Sequence, residues 1–237
     1  MENIILNGCS FIAGHHKYKN TSLGYHLKTL SGIDPINLAL HGSGTERMFR
    51  TTYQYLSSNK ITNSLIVLGI SHWGRIELYD EIKEKFYPIN FWNNEFESIL
   101  KEVIANAESK YVDNEIKLID NKGWDSTFLK KFIIFYLTTF KNEKIERAKI
   151  ERELILFEHY CKAYNNTLIS FNSLDGVTDL FESESYIKIQ NSNNWQNIVN
   201  TKKLHHSDPE FTGHPNSKLN LQVAELILKE YEIRNRH

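Results

Sequence analysis

The feature that most constrains this chain is an alternation of short apolar runs and helical segments in its first 70 residues. Apolar runs at 3–6, 36–40 and 64–68 have the length of buried strands. The segments between them, 21–30 and 45–59, carry apolar residues at helical spacing. Because this rhythm is typical of parallel sheets with crossover helices, we predict an α/β fold. We expect a three-layer α/β/α sandwich with a parallel, flavodoxin-like sheet of about five strands.

The rest of the chain extends the same pattern less regularly. Helices are predicted at 91–108 and 127–164, a fourth strand at 167–171 and a final amphipathic helix at 218–231, with 174–200 irregular. We interpret residues 1–237 as a single domain with a helical insertion around 91–166.

Composition argues against several classes of protein. The net charge is -1 and basic residues form no long run, which disfavours a nucleic-acid partner. No apolar stretch reaches the roughly 18 residues of a membrane span. The two cysteines, Cys9 and Cys161, form no CxxC pair, so neither a disulfide framework nor a cysteine zinc site is indicated. The N-terminus lacks the basic region of a signal peptide, and we expect a cytoplasmic protein.

Small and polar residues follow each of the first three predicted strands. They are Gly-Cys-Ser-Phe at 8–11, Gly-Ser-Gly at 42–44 and Gly-Ile-Ser-His at 69–72. A fourth group, Gly-His-Pro-Asn at 213–216, immediately precedes the last helix. Sites in open parallel sheets lie outside the carboxyl ends of the strands, so these groups are expected to converge at one rim.

These groups resemble the conserved blocks of the SGNH (GDSL-like) hydrolases in order and spacing. Gly-Cys-Ser-Phe at 8–11 resembles block I, and residues 37–42 resemble block II. Residues 67–72 stand where block III has Gly-x-Asn-Asp, and 213–216 resemble block V. The resemblance implies that Ser10 is the nucleophile, that His214 is its general base and that the Gly42 N–H donates to an oxyanion hole.

Block III departs from the family pattern. The chain has Ser71 where the family has Asn, and a serine hydroxyl reaches less far than an amide. The third oxyanion donor is therefore Ser71 itself, His72 or Arg75.

Block V departs as well. The family has Asp three residues before the histidine, and here that position is Phe211. Asp208 is our preferred orienting acid. Glu210, or a Ser–His dyad without any carboxylate, are the alternatives.

The implied chemistry is ester hydrolysis. A serine hydroxyl needs a base to become nucleophilic, and histidine titrates near neutrality. Each preorganised oxyanion donor contributes roughly 3–4 kcal/mol. The resemblance implies a serine-dependent esterase that removes a small acyl (acetyl) group from a carbohydrate or similar small molecule, without cofactor. The alternatives are an O-acyltransferase using the same pair, and a catalytically inactive binding or assembly protein.

Other polar and aromatic residues leave alternatives open. The adjacent histidines at 15–16 and 205–206 lack metal-ligand spacing, so no metal site is predicted. Arg47 or Arg50 either binds an anionic or sugar group of the substrate or pairs with Glu77 as a structural clamp. Trp73 is the best-placed aromatic side chain for stacking on a sugar ring.

Overall fold

The computed structural model describes residues 1–14, 20–80, 84–89, 143–174, 183–188 and 214–236. Its elements, in chain order, are β1 (Ile4–Gly8), α1 (Ser10–Ala13), α2 (Leu23–Ser31), β2 (Ile36–Asn37), α3 (Thr45–Ser58), β3 (Leu65–Ile70), β4 (Ile76–Asp80), β5 (Lys85–Ile89), α4 (Glu143–Ala163), β6 (Thr167–Asn172) and α5 (Ser217–Arg234).

The central sheet is parallel, with the strand order β2-β1-β3-β6. This is the order of a flavodoxin-like winding, and the predicted α/β class is confirmed. The described sheet has four strands rather than about five. Beyond β6, a parallel bridge joins Ser170 to Tyr186, so within the described residues the next position along the sheet holds an isolated bridge.

Helices cover both faces of the sheet. Side chains of α1, α2 and α5 pack with Ile4 and Leu6 on one face. Side chains of α3 and α4 pack with Ile5 and Ile66 on the other. Because successive strand residues point to opposite faces, a strand buried on both must be apolar throughout, and every residue of β1 and β3 is buried.

Strand β2 is shorter than predicted, ending at Asn37 instead of residue 40. The Asn37 side chain accepts a hydrogen bond from the Ala39 N–H at 3.0 Å, which turns the backbone locally. The chain nevertheless continues beside β1, because the Leu38 and Leu40 N–H groups donate to Leu6 and Gly8 at 2.8 and 3.1 Å.

An antiparallel hairpin, β4–β5, follows the third loop and was not predicted. Ile76 pairs with Ile89, and Asp80 with Lys85. The predicted helix at 91–108 and the beginning of the one at 127–164 lie outside the described residues, whereas the end of the latter is α4. No helix in the described ranges is long and apolar enough to cross a membrane.

Candidate active site

Ser10 begins a short helix directly after the first strand. The Cys9 carbonyl accepts from the Ile12 and Ala13 N–H groups at 3.0 and 2.9 Å, which closes the turn. A Cβ on Gly8 would overlap the Ile12 side chain, so the glycine allows α1 to lie closely against the strand end. Ser10 is thereby held half-buried at the carboxyl edge of the sheet.

His214 meets Ser10 from the other end of the chain. Its Nε2 lies 2.8 Å from the Ser10 Oγ, and its ring centroid is 5.1 Å from that of Phe11. The histidine stands just before α5, whose N-cap is Asn216; the cap oxygen accepts from the Leu219 N–H at 3.0 Å. When the other ring nitrogen carries the proton of the neutral imidazole, Nε2 is free to accept the serine proton.

Gly42 lies in a tight turn beside the first strand. The Ser43 N–H donates to the Leu40 carbonyl at 3.1 Å, and Gly42 has φ +76°, a backbone conformation that favours glycine. Because the Leu40 N–H donates a hydrogen bond to the Gly8 carbonyl, this turn lies next to the segment that carries Ser10. Within the described ranges, neither the Ser10 nor the Gly42 N–H donates to another protein group.

The third loop is fastened to the second. A Cβ on Gly44 would overlap the Arg75 carbonyl oxygen. The Thr45 hydroxyl lies 3.3 Å from both the N–H and the carbonyl oxygen of Ser71. Ser71 is fully buried, and its hydroxyl accepts a hydrogen bond from Arg75 Nη1 at 3.2 Å. Ser71, a predicted oxyanion donor, is therefore buried where the second and third loops pack together, and it contacts the alternative candidate Arg75.

His72 and Trp73 form a stacked pair in the same loop. Their ring centroids are 5.4 Å apart with an interplanar angle of 25°. The Gly74 N–H donates to His72 Nδ1 at 2.9 Å, so the neutral imidazole carries its proton on Nε2 and can donate from there. Trp73 also packs against the hydrophobic core on the α3 side of the sheet, so part of its side chain contributes to the packing of the fold.

The arginines of α3 are held by protein groups. Arg50 Nη2 donates to both Glu77 carboxylate oxygens, at 3.0 and 2.8 Å, which confirms the clamp alternative. Arg47 Nη1 donates to the Leu38 carbonyl at 3.0 Å. Burial lowers the pKa of the Arg47 guanidinium, and the Glu77 carboxylate opposes that shift.

Several predicted residues lie outside the described ranges. They include both candidate acids, Asp208 and Glu210, and the paired histidines at 15–16 and 205–206. An orienting carboxylate for His214 therefore stays a prediction.

Asn7, which the sequence analysis did not single out, links β1 to α3. Its side-chain oxygen accepts from the Gly8 N–H at 2.9 Å. Its amide nitrogen donates to the Met48 carbonyl and to the hydroxyls of Thr51 and Thr52, at 2.8–3.1 Å. A fully buried asparagine at the end of an apolar run is the signal that indicates such a link.

A cavity of about 480 Å³ lies between α3 and α4, and neither Ser10 nor His214 lines it. Its exposed lining surface is mostly apolar although six charged residues contribute to it, and the lining includes no serine, cysteine or histidine: Thr45, Glu46, Phe49, Arg50, Tyr53, Glu146, Lys149, Ile150, Arg152, Glu153, Leu156, Phe157 and Tyr160. A cavity of this size could hold a small ligand, but the candidate nucleophile and base, Ser10 and His214, meet elsewhere.

No protein-family model matches this chain, and no curated protein sequence matches it either. What the chain does must therefore be argued from its own residues.

Proposed function

We propose that the protein is a serine-dependent ester hydrolase in which Ser10 is the nucleophile and His214 the general base. The observation that carries the proposal is the 2.8 Å separation of His214 Nε2 and Ser10 Oγ. That distance lies within the reach required for proton transfer. The two residues are 204 positions apart in sequence, so this contact needs the whole fold.

The reaction begins with attack of Ser10 Oγ on the ester carbonyl carbon while its proton passes to His214 Nε2. The resulting oxyanion is stabilised by the N–H groups of Ser10 and Gly42, which have no protein acceptor in the described ranges. The imidazolium then gives its proton to the leaving alcohol, and an acyl-Ser10 ester remains. Water, deprotonated by His214, attacks this ester; the bond to Ser10 Oγ breaks, the imidazolium returns the proton to that oxygen, and the carboxylic acid is released.

A third oxyanion donor is proposed from the loop at 71–75. His72 is one candidate, because its Nδ1 accepts a backbone hydrogen bond and its proton therefore stands on Nε2. Ser71 and Arg75, which hydrogen-bond each other, are the others. Asp208 is retained as the proposed acid that orients His214.

The proposed substrate is a small acyl ester, an acetyl group on a carbohydrate. Support for this finer proposal comes from the resemblance to SGNH hydrolases and from Trp73, whose loop adjoins the Gly42 turn through the Gly44–Arg75 contact. An acyltransferase would use the same acyl-Ser10 intermediate with a sugar hydroxyl replacing water.

Turnover of 4-nitrophenyl acetate, followed by acetate release from acetylated sugars, tests the proposal. Ser10→Ala and His214→Ala should each lower kcat/KM at least about a thousandfold, because nucleophile and base act as one unit. Matched controls are Ser57→Ala and His159→Ala, which replace exposed residues of the same types and should leave kcat/KM unchanged.

Turnover that stays at the wild-type rate in both Ser10→Ala and His214→Ala would contradict the proposal. Acetyl transfer to an added sugar, in place of acetate release, would assign the transferase reaction to the same pair. A folded wild type that neither turns over nor acylates would favour the binding-protein alternative.

A further inference from the structure

A buried amide stands at the beginning of the helix that presents His214. Asn220 is 4% exposed and lies four residues after the N-cap, Asn216. An apolar residue commonly stands there and packs on the residue before the cap, which here is the buried Pro215. The chain therefore places a polar side chain where helix packing alone favours an apolar one.

The Asn220 amide connects α5 to the segment that precedes α2. Its nitrogen donates to the Thr21 carbonyl at 2.6 Å and, more weakly, to the Pro215 carbonyl at 3.5 Å. Its own carbonyl oxygen is buried and has no hydrogen-bond partner in the described part of the chain. Burying an amide with one acceptor unsatisfied costs stability, so Asn220 contributes geometry more than packing energy.

The Thr21 segment is itself in contact with the nucleophile helix. The Gly14 N–H donates to the Ser10 carbonyl at 3.2 Å at the end of α1. A Cβ on Gly14 would lie 2.8 Å from the Cβ of Ser22, the neighbour of Thr21. Contacts therefore run from Ser10 through α1 to Thr21, and from there through Asn220 to the start of α5.

We propose that Asn220 is a positioning residue that fixes His214 against Ser10. The inference rests on the proposed function, since it assigns a role in the same proton transfer. Proton transfer requires the two heavy atoms to be about 2.6–3.2 Å apart. A displacement of about 1 Å can lower a rate on the order of a hundredfold, so a bond that sets the start of α5 governs the reaction.

The test compares Asn220→Ala and Asn220→Leu with a matched control, Asn166→Ala. Asn166 is also 4% exposed and also bonds two backbone groups, the Ser64 N–H and the Ile61 carbonyl, each at 3.0 Å. It lies at the amino edge of the sheet, opposite the candidate site. Asn220→Leu restores an apolar residue against Pro215, so it is expected to keep the wild-type Tm or raise it.

Three quantities are measured on the full chain: the Tm, the second-order rate of inactivation by a fluorophosphonate, and the NMR titration of the His214 ring. Both Asn220 variants should react at least tenfold more slowly than wild type, and the His214 titration should shift. Asn166→Ala should lower the Tm while its reaction rate stays within about twofold of wild type.

Asn220→Leu that reacts at the wild-type rate with an unchanged His214 titration would overturn the positioning role and leave the proposed function intact. A wild type that does not react would count against the hydrolase. In that case a His214 titration that shifts in Asn220→Leu and not in Asn166→Ala would still support positioning, and an unchanged one would overturn it.

Discussion

At the scale of single residues, the Ser10–His214 contact depends on side chains that hold backbone in place. Asn7 bonds both the strand end and α3, and Asn216 caps the helix that follows His214. Gly8 leaves the space that the Ile12 side chain fills. None of these residues is a proposed catalytic group, but each helps to fix the position of Ser10 or His214.

Gly42→Ala should lower both stability and turnover. Gly42 has φ +76° and a Cβ there would meet nothing within 4 Å, so the cost is backbone conformation rather than a clash. An alanine in this region costs roughly 1–2 kcal/mol, and a backbone that relaxes would move the Gly42 N–H away from the proposed oxyanion position. Tm and kcat/KM for 4-nitrophenyl acetate measure the two effects.

The matched control for that substitution is Gly32→Ala at the end of α2. Gly32 also has φ +76° and also has open space around a Cβ. It should lose a similar amount of stability without any loss of kcat/KM. Equal turnover losses in both variants would show that Gly42 acts through stability alone.

At the scale of elements, the Arg50–Glu77 pair fastens α3 to β4. The Glu77 side chain is only 5% exposed, and the Arg50 guanidinium also lies 3.6 Å from the Phe86 ring centroid in β5. Arg50→Met leaves a buried carboxylate without its partner and should lower the free energy of unfolding by about 3 kcal/mol. Urea denaturation measures this loss.

The double variant Arg50→Met/Glu77→Met should lose less stability than the sum of its single variants, because no buried charge is left behind. Lys28→Met is the comparison for an exposed pair, since Lys28 and Asp34 are 54% and 75% exposed. It should cost at most about 1 kcal/mol. Additive losses at Arg50 and Glu77 would contradict a coupled clamp.

His26 in α2 should make stability depend on pH. Its Nε2 lies 2.9 Å from the Ser217 hydroxyl at the start of α5. Burial lowers the pKa of His26 below its ordinary 6.5, and the Glu225 carboxylate opposes the shift without cancelling it. A lowered histidine pKa means that the folded state favours the neutral ring, so its stability is fully present above pH 6.5 and is lost as the pH falls through the folded-state pKa.

Thermal unfolding at pH 7.5 and pH 5 therefore separates two histidines. His26→Gln should lose less Tm between these pH values than wild type, whereas His159→Gln, which replaces an exposed ring, should lose as much as wild type. The same pH dependence in wild type and His26→Gln would contradict the buried neutral ring.

The sequence predicts best those elements whose apolar pattern can be recognised within a single segment. β1 and β3 are largely apolar runs because both of their faces are covered, and such runs can be identified without knowing their neighbours. The β4–β5 hairpin was missed because its sequences, IELYD and KFYPI, include charges and a proline, and its pairing depends on register.

The same distinction applies to the site. The meeting of Ser10 and His214 could be predicted, because the sequence places one just after a strand and the other just before a helix at the same rim of the sheet. Their roles as nucleophile and base stay proposals. The burial of Ser71 against Arg75 and the Asn220–Thr21 bond could not be predicted, since no local pattern in the sequence points to these partners. Side-chain partners across the fold follow from packing, which local pattern does not encode.

At the scale of the whole molecule, the fold brings the end of β1 and the start of α5 together. The first strand is central in the described sheet, and α5 packs on the same face as α1 and α2. This arrangement places Ser10, two residues after β1, beside His214, three residues before α5. The central claim is that this meeting makes an activated serine.

Covalent labelling with a small fluorophosphonate, measured by intact mass and peptide mapping, tests that claim most directly. The neighbouring Cys9 is fully buried, so an adduct in this segment is expected on Ser10. The account predicts one adduct on wild type, located on Ser10 and absent from Ser10→Ala and His214→Ala. A folded wild type without an adduct, or an adduct that persists in His214→Ala, would contradict it.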